Sequence, residues 1–288
     1  MRSEEGEGGV RSEESGVGSG KARSGWKFRM GLIIVALLFL LAVGADVVSP
    51  YDPLRQDYKA VLKRPGPAHP LGTDSLGRDN LARVAHGARV SLAVAVAATA
   101  LMILVGLPLG AAAGYFGGPA DAVIMRAADV FLAFPFALGA IALMAVVGPG
   151  AGNVLIALAL FGWPQIARVA RAQVMNEAAK DYVAAVKVAG GSPWYIIRRH
   201  LLPNAVGPVA VFSLTGLSTA LLTEATLSFL GIGIQLPFSA WGSMLADAVG
   251  RLTIAPWLIV GPGAAVILAC LGFNLLGEGL HESLELDG

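Results

Sequence analysis

The chain has 288 residues, of which 55% are hydrophobic and only 14% are charged. A soluble domain usually carries about 25% charged residues, so this composition excludes an ordinary soluble protein and indicates one that lies largely in a membrane. The net charge of +1 gives no sign of nucleic-acid binding, and the single cysteine, Cys270, excludes an internal disulfide.

The first 29 residues form a polar tail, which we predict to be disordered. Its stretch from Ser15 to Ala22 resembles a phosphate-binding loop. That pattern requires Gly at the position of Ser15 and Ser or Thr at the position of Ala22, and no buried strand precedes it. We therefore interpret the stretch as a linker, and we find no nucleotide-binding motif elsewhere in the chain.

Apolar stretches long enough to cross a bilayer as helices of about 20 residues follow the tail. One uncharged run is too long for a single helix and is broken by the sequence GPGAGN at 148–153. The six predicted spans are residues 30–48, 90–115, 127–147, 153–171, 206–230 and 253–276. The first has no small-residue cleavage site, so we expect it to remain as an anchor.

The segment between the first two spans, residues 49–89, contains the run HPLGTDSLGRD. His69, Asp74 and Asp79 could form a metal site, but their spacing places them on no common helical face. A simpler interpretation is that Asp74 and Arg78 hold a turn through side-chain-to-backbone hydrogen bonds and an ion pair. We therefore predict no metal in this segment.

A polar, basic loop lies between the fourth and fifth spans, at residues 181–204 (DYVAAVKVAGGSPWYIIRRHLLPN). Its pattern predicts two short helices joined by a tight turn. The first helix is expected to run from Asp181 to Ala189. It should end at Gly190 and Gly191, because glycine accepts the left-handed conformation that closes a helix.

The second helix of the 181–204 loop is predicted to start at Ser192, whose hydroxyl can cap it. Pro193 suits the first helical position, where its missing N–H costs nothing. We expect this helix to run to Leu202 and to stop at Pro203. A helix-turn-helix of this kind at a membrane surface indicates a docking element, and therefore a membrane protein driven by a partner.

Glu224 lies within or near the end of the fifth span, where a lipid-facing carboxylate would be expensive. We predict that it faces a polar pathway or gate, faces a partner subunit, or reaches the outer interface. Small residues let neighbouring helices approach closely, and prolines interrupt the second and sixth spans. These residues are Gly106, Gly110, Gly139, Gly216, Pro108, Pro256 and Pro262.

Lysines and arginines orient the chain, because cytoplasmic segments carry an excess of them. Six precede the first span and six lie between residues 168 and 199, whereas 148–153 has none. With six spans the two basic segments fall on one side, so both termini are predicted to be cytoplasmic. The 49–89 segment carries seven basic residues yet must then be external. Long loops cross the membrane largely regardless of charge, so we keep this orientation.

The 181–204 loop resembles the cytoplasmic coupling loop of ABC-importer permeases, in which a small-residue helix, a glycine and a second helix ending in Leu-Pro follow one another. Aligned on Gly190 and Pro203, the Glu-Ala-Ala of that family falls on Ala184-Ala185-Val186, so the glutamate is missing here. The literal Glu177-Ala178-Ala179 is out of register, and we interpret it as coincidence.

Two further motifs resemble the dipeptide/oligopeptide/nickel subfamily of these permeases. One is the run at 69–79 continued by GARVSL at 87–92, and the other is LSFLGIG at 227–233 followed by WGSML at 241–245. The resemblance covers about residues 30–280 and is strongest for the "C" subunit of a peptide importer.

The resemblance implies an all-α integral membrane protein with six transmembrane helices and the type I ABC-importer permease architecture. It divides the chain into a tail (1–29), a first span (30–48), an external segment (49–89), a permease domain (90–280) with its coupling loop at about 177–204, and an acidic tail (281–288). The implied ATPase-coupling residues are Asp181, Tyr182, Ala184, Ala185, Lys187, Gly190, Gly191, Ser192 and Pro203. The implied external signature is His69, Asp74, Gly77, Arg78 and Asp79.

The resemblance also implies partners: a second homologous permease, two ATP-binding subunits that hold ATP-Mg, and an extracytoplasmic solute-binding protein. The chain would lie in a bacterial or archaeal cell membrane, would bind no cofactor and would not itself be an enzyme. The cargo would be di- or oligopeptides, with nickel or glutathione as alternatives.

A stand-alone secondary transporter would need paired ionisable residues near the bilayer midplane, and the spans contain almost none. A membrane enzyme would need clustered catalytic groups, but the four histidines are scattered.

Overall fold

Long helices built from the apolar stretches dominate the computed structural model, which describes residues 14–235 and 237–286, with side chains for 25–235 and 237–284. The helices are α1 Glu14–Val43, α2 Ala45–Val48, α3 Asn80–Phe116, α4 Gly118–Ala133, α5 Phe136–Val147, α6 Ala151–Ala178, α7 Asp181–Val188, α8 Pro193–Ile196, α9 Leu202–Phe229, α10 Trp241–Val249 and α11 Val260–Leu286. Short 3-10 turns lie at Tyr58–Ala60 and Pro256–Ile259, and a π-helical turn lies at Ile197–Leu201. Strand pairing within the described ranges is limited to one isolated bridge, between Thr73 and Asp79.

Over the described residues, five helices are long and apolar enough to cross a membrane, or six if α4 and α5 form one bent span. The third predicted span, 127–147, is therefore wrong as a single helix. Helix α4 ends at Ala133 and α5 starts at Phe136, with a bend of 84° between them. The cause is local: Phe134 precedes Pro135, whose ring disfavours helical backbone in the residue before it, and both residues are extended.

Both ends of the chain differ from the predicted tails. Helix α1 begins at Glu14, so that it includes the second half of the 1–29 segment predicted to be disordered, and the part before Glu14 lies outside the described residues. Helix α11 continues to Leu286 and takes in most of the predicted 281–288 tail. Lys27 accounts for part of this extension, because its Nζ lies 2.6 Å from a carboxylate oxygen of Glu282 and thus joins α1 to α11.

Helix α9 lies centrally and packs against α3, α6 and α11, while α1 packs on the outside of α11. Close approach of α3 and α6 depends on glycine, as predicted: a Cβ at Gly106 would lie 2.7 Å from the Trp163 carbonyl oxygen. Gly110 and Gly139 are similarly restricted. The prediction is wrong for Gly216, since nothing lies within 4 Å of a Cβ there, and this residue faces a cavity instead.

The prolines interrupt the spans less than predicted. Pro108 lies inside α3, which continues through it to Phe116. Pro256 opens the 3-10 turn before α11, and Pro262 lies in the first turn of α11. At these N-terminal positions a missing N–H costs little, because the first amides of a helix have no intrahelical partner.

Candidate functional site

The turn of the 181–204 loop forms as predicted. Helix α7 ends at Val188, and Gly190 takes the left-handed conformation with φ of +84°. The Gly190 amide donates to the Lys187 carbonyl at 3.1 Å, and the Gly191 amide donates to the Val186 carbonyl at 2.9 Å. These two bonds close the helix and fix the direction in which the chain leaves it.

The second helix of the loop starts as predicted but does not stop at Pro203. The Ser192 hydroxyl accepts a hydrogen bond from the Tyr195 amide at 3.3 Å, and Pro193 follows in the first helical position. The helix then continues through the π-helical turn Ile197–Leu201 into α9. A π turn widens the helix by one residue, and it lies where the ring of Pro203 would otherwise clash with a carbonyl one turn earlier. The coupling loop is thus continuous with a membrane-crossing helix.

Helix α7 is anchored by one side and exposed over much of the rest. Val183 is fully buried among Ala111, Val174, Ile196 and Leu201, which belong to α3, α6 and the segment leading into α9. Much of the rest of the helix is exposed to solvent, and this exposed part includes most of the predicted coupling residues. These exposed residues are Asp181, Tyr182, Ala184, Ala185, Lys187 and Val188. Lys187, one turn after Val183, lies 5.2 Å from the ring of Tyr115 in α3.

Glu177 has a role that the sequence pattern did not reveal. Its carboxylate accepts hydrogen bonds from the Tyr182 hydroxyl at 2.6 Å and from Asn204 Nδ2 at 3.2 Å, and pairs with Lys180 Nζ at 2.7 Å. It therefore joins the end of α6 to α7 and to the start of α9. Burial and, secondarily, the Glu177 carboxylate raise the pKa of Tyr182 above its usual value. The sequence indicated this role only through the i,i+3 spacing of Glu177 and Lys180, which favours an ion pair between them.

Asp74 organises the 49–89 segment, as the simpler interpretation of this run predicted. Its Oδ1 accepts from the backbone amides of Leu76 and Arg78, both at 2.9 Å. Its Oδ2 lies 2.6 Å from Arg78 Nε and 2.6 Å from Arg83 Nη1. All three charged side chains are buried. The carboxylate is thus saturated with donors, which leaves it no role as a free ligand.

Asp79 is also fully engaged. It caps α3 by accepting from the Ala82 amide at 2.7 Å, and its other oxygen lies 2.9 Å from His69 Nδ1. Gly77 has φ of +75° and lies against the Asp57 carbonyl, which leaves no space for a side chain. Across the described residues, no three candidate metal ligands come together. The signature residues therefore form one hydrogen-bonded unit that holds the start of α3.

A cavity of about 600 Å³ lies between α3, α5, α6, α9 and α11. Apart from Gly216, the sequence patterns did not single out its lining. The four-residue spacing of Thr215, Thr219 and Thr223 was a usable signal, because it places these residues on one face of α9. Polar residues that line the cavity include Thr99, Gln165, Thr215, Thr219, Thr223 and Asn274.

Glu224 does not line this cavity among the described residues, although its neighbour Thr223 does. Successive helical residues point about 100° apart, and Glu224 turns into the protein, where it is fully buried. Its Oε1 accepts from the Ser228 hydroxyl at 2.8 Å, and that hydroxyl accepts from the Ile234 amide at 3.0 Å. Glu224 thus fixes the Ser228 hydroxyl, which in turn ties α9 to the segment that follows it.

Comparison with protein families gives a match to the "Binding-protein-dependent transport system inner membrane component" family over residues 106–286. The glutathione transport system permease protein GsiD of Pectobacterium atrosepticum is 40% identical over 254 residues, which is 88% of this chain and 84% of that protein. The oligopeptide transport system permease protein OppC of Bacillus subtilis is 37% identical, covering 89% and 84%. The dipeptide transport system permease protein DppC of Haemophilus influenzae is 37% identical, covering 89% of each.

Among solved structures, a chain of the MetNI methionine ABC transporter in an inward-facing conformation matches with a TM-score of 0.53. The two chains are 18% identical, and the match covers 66% of this chain and 91% of the other. At this identity the likeness concerns the fold alone.

Proposed function

Because this chain belongs to the family of inner membrane components of binding-protein-dependent transport systems, we propose that it forms one half of the solute pathway of an importer for di- or oligopeptides. The helices have the type I ABC-importer fold, and the family works with separate ATP-binding components. The names of the dipeptide and oligopeptide relatives support a peptide cargo. The bacterial relatives support a place in a bacterial inner membrane.

The exposed face of α7 is the proposed docking site for a cytoplasmic ATP-binding subunit. The observation that supports this most is that α7 has one fully buried anchor, Val183, and ends in a glycine turn. The side chains of Asp181, Ala184, Ala185 and Val188 stay exposed. A second, homologous permease would offer a matching helix to a second ATP-binding subunit. When ATP closes the ATPase pair, α7 would move with it. The continuous helix of 37 residues from Pro193 to Phe229 would carry this motion into the membrane.

The 49–89 segment, with residues 231–251, is the proposed docking surface for an extracytoplasmic solute-binding protein. The buried ion pairs of Asp74 support this role, since they make the segment rigid, and a rigid surface loses little entropy on binding. Arg78 and Arg83 also lie 4.0 Å and 3.9 Å from Asp247 in α10, so that the two parts of the surface are joined.

Glutathione is the second candidate cargo, and the GsiD relative at 40% identity is the observation that favours it. Glutathione is itself a small peptide, so both candidates need the same kind of pathway. Binding assays on the partner solute-binding protein, with dipeptides, oligopeptides, glutathione and nickel chelates in parallel, decide among them. The stand-alone secondary transporter is disfavoured by membership of this family.

Replacing Gly190 by valine tests the coupling role. A Cβ at Gly190 meets nothing within 4 Å, so the substitution strains only the backbone at φ of +84°. This strain costs about 1–2 kcal/mol and more for a β-branched residue. We expect Gly190→Val to abolish ATP-dependent uptake of dialanine by the complete importer in proteoliposomes, while the protein stays folded in the membrane.

Gly190→Asn is the matched control, because asparagine tolerates the left-handed conformation. We expect this variant to retain most of the uptake. Normal ATP-coupled uptake by Gly190→Val would show that the turn does not set the angle of a coupling helix.

A further inference from the structure

The polar residues of the cavity share a depth in the bundle. Thr99, Gln165, Thr215 and Asn274 come from four different helices, and each lies at or next to the midpoint of its own helix. In helices that cross a bilayer, the midpoint lies near the centre of the hydrocarbon. A band of amide and hydroxyl groups therefore surrounds the cavity at the depth where polar groups facing lipid would be most costly.

Thr99 differs from the other hydroxyl residues of the band. Its side chain is only 5% exposed, and its hydroxyl has no hydrogen-bond partner among the described residues. By contrast, the hydroxyl of Thr215 donates to the Phe212 carbonyl at 2.9 Å, and that of Thr223 donates to the Thr219 carbonyl at 2.8 Å. A buried hydroxyl without a partner costs stability, so a group from outside the chain is expected to complete it.

The chemistry of the lining indicates which groups these are. No charged side chain lines the cavity in the part of the chain that the structure describes. Gln165 and Asn274 each offer both a donor and an acceptor, which is the pattern that a peptide bond requires. Phe136 and Phe212 supply apolar surface beside them. A charged group would find no opposite charge on this subunit.

We propose that this cavity is a solute subsite in which Thr99, Gln165 and Asn274 bind uncharged amide groups, and that it does not distinguish positively from negatively charged side chains of the solute. The proposal rests on the transport function proposed above and adds the subsite and its selectivity. Selectivity for charge would then lie with the other subunits of the importer.

The test measures uptake of dialanine, alanyl-glutamate and alanyl-lysine by the complete importer in proteoliposomes, with the solute-binding protein unchanged. Each lost hydrogen bond corresponds to about a three- to tenfold change in rate. We expect Thr99→Val and Asn274→Leu each to lower uptake by that factor, equally for the three peptides. Thr226→Val is the matched control, because Thr226 is exposed on α9 outside the cavity and its hydroxyl donates to the Leu222 carbonyl at 2.7 Å.

Two further measurements separate binding from structure. Thr99→Val removes an unpartnered hydroxyl, so the unfolding midpoint of the purified complex should not fall although uptake does. Thr219→Asp places a carboxylate in the lining and should favour alanyl-lysine over alanyl-glutamate by about tenfold relative to the parent protein.

Uptake of all three peptides at parent rates by Thr99→Val and Asn274→Leu would overturn the subsite. So would loss of the second permease on co-purification of these variants, because the cavity would then be filled by that subunit. A parent importer that shows no ATP-dependent uptake overturns the proposed transport function first, and the subsite with it. Normal parent uptake with unaffected variants overturns the subsite alone.

Discussion

The 49–89 segment and the 181–204 loop lie at opposite ends of α3 and are held by opposite means. The first runs into α3 at Asn80, earlier than the predicted start of the span at residue 90, and the Asp74 carboxylate is shared by Arg78 before this helix and Arg83 within it. The second contacts α3 at Ala111 and is held by buried apolar side chains, while its hydrogen bonds lie at the surface. Buried charges therefore dominate at one end and apolar contacts at the other.

This difference fits the two roles proposed for the ends. Buried ion pairs tolerate little displacement, because separating the partners leaves charges without water or counter-charge. Apolar contacts are non-directional and survive small shifts of a helix against its support. The first property suits a rigid surface on which a solute-binding protein docks. The second suits a helix that has to move together with an ATP-binding subunit. Substitutions that lower stability at one end without affecting the other test this difference.

Asp74→Ala should have the largest effect on stability. It leaves Arg78 and Arg83 buried without their shared carboxylate, and breaking a buried pair in this way costs about 3–5 kcal/mol. We expect a lower unfolding midpoint of the purified complex and a lower yield in the membrane. Asp52→Ala is the control, because Asp52 is exposed and its carboxylate accepts, within the part of the chain that the structure describes, only from the Leu54 amide. Equal midpoints for the two variants would show that the buried charges do not hold this segment.

Val183→Ala should have a smaller and more local effect. The substitution removes about 1–2 kcal/mol of apolar burial from the anchor of α7. Because α7 is otherwise held by surface contacts, we expect it to open locally, with about tenfold lower amide hydrogen-exchange protection in Asp181–Val188 and little change in α3. Val188→Ala is the control, since Val188 is 90% exposed on the other side of α7 and should keep full protection. Global destabilisation by Val183→Ala would contradict the view of α7 as a separately anchored unit.

Local chemistry could be predicted from the sequence, and long-range arrangement could not. The glycine turn, the Ser192 cap and the Asp74 turn depend on residues within a few positions of each other, and each is confirmed. The end at Pro203 was predicted wrongly, because a π turn that absorbs a proline leaves no clear composition signal.

The cavity lining was missed for another reason. Thr99, Gln165 and Asn274 come from three helices, and no spacing within one helix reports their meeting. For Glu224 the sequence left a polar pathway, a partner subunit and the outer interface open, because the direction of its side chain depends on how α9 packs against its neighbours. Packing of this kind is decided by the whole bundle rather than by a local pattern.

The surface cluster around Glu177 gives the smallest predicted effect, on the titration of Tyr182. Burial first and the Glu177 carboxylate second raise the pKa of Tyr182 above its usual 10.0. The folded state therefore gains stability that is fully present below pH 10.0 and is lost as the pH rises through the raised pKa. In Glu177→Gln the negative charge is gone, so the pKa should fall toward the usual value but stay above it, because the burial remains.

Absorbance of tyrosinate, taken as the difference from a Tyr182→Phe sample, isolates this group. Glu278→Gln, whose carboxylate pairs with Lys27 instead, should leave the titration unchanged. If Glu177→Gln leaves it unchanged too, the carboxylate does not hold α7, and the contrast between the two ends of α3 reduces to the apolar anchor at Val183.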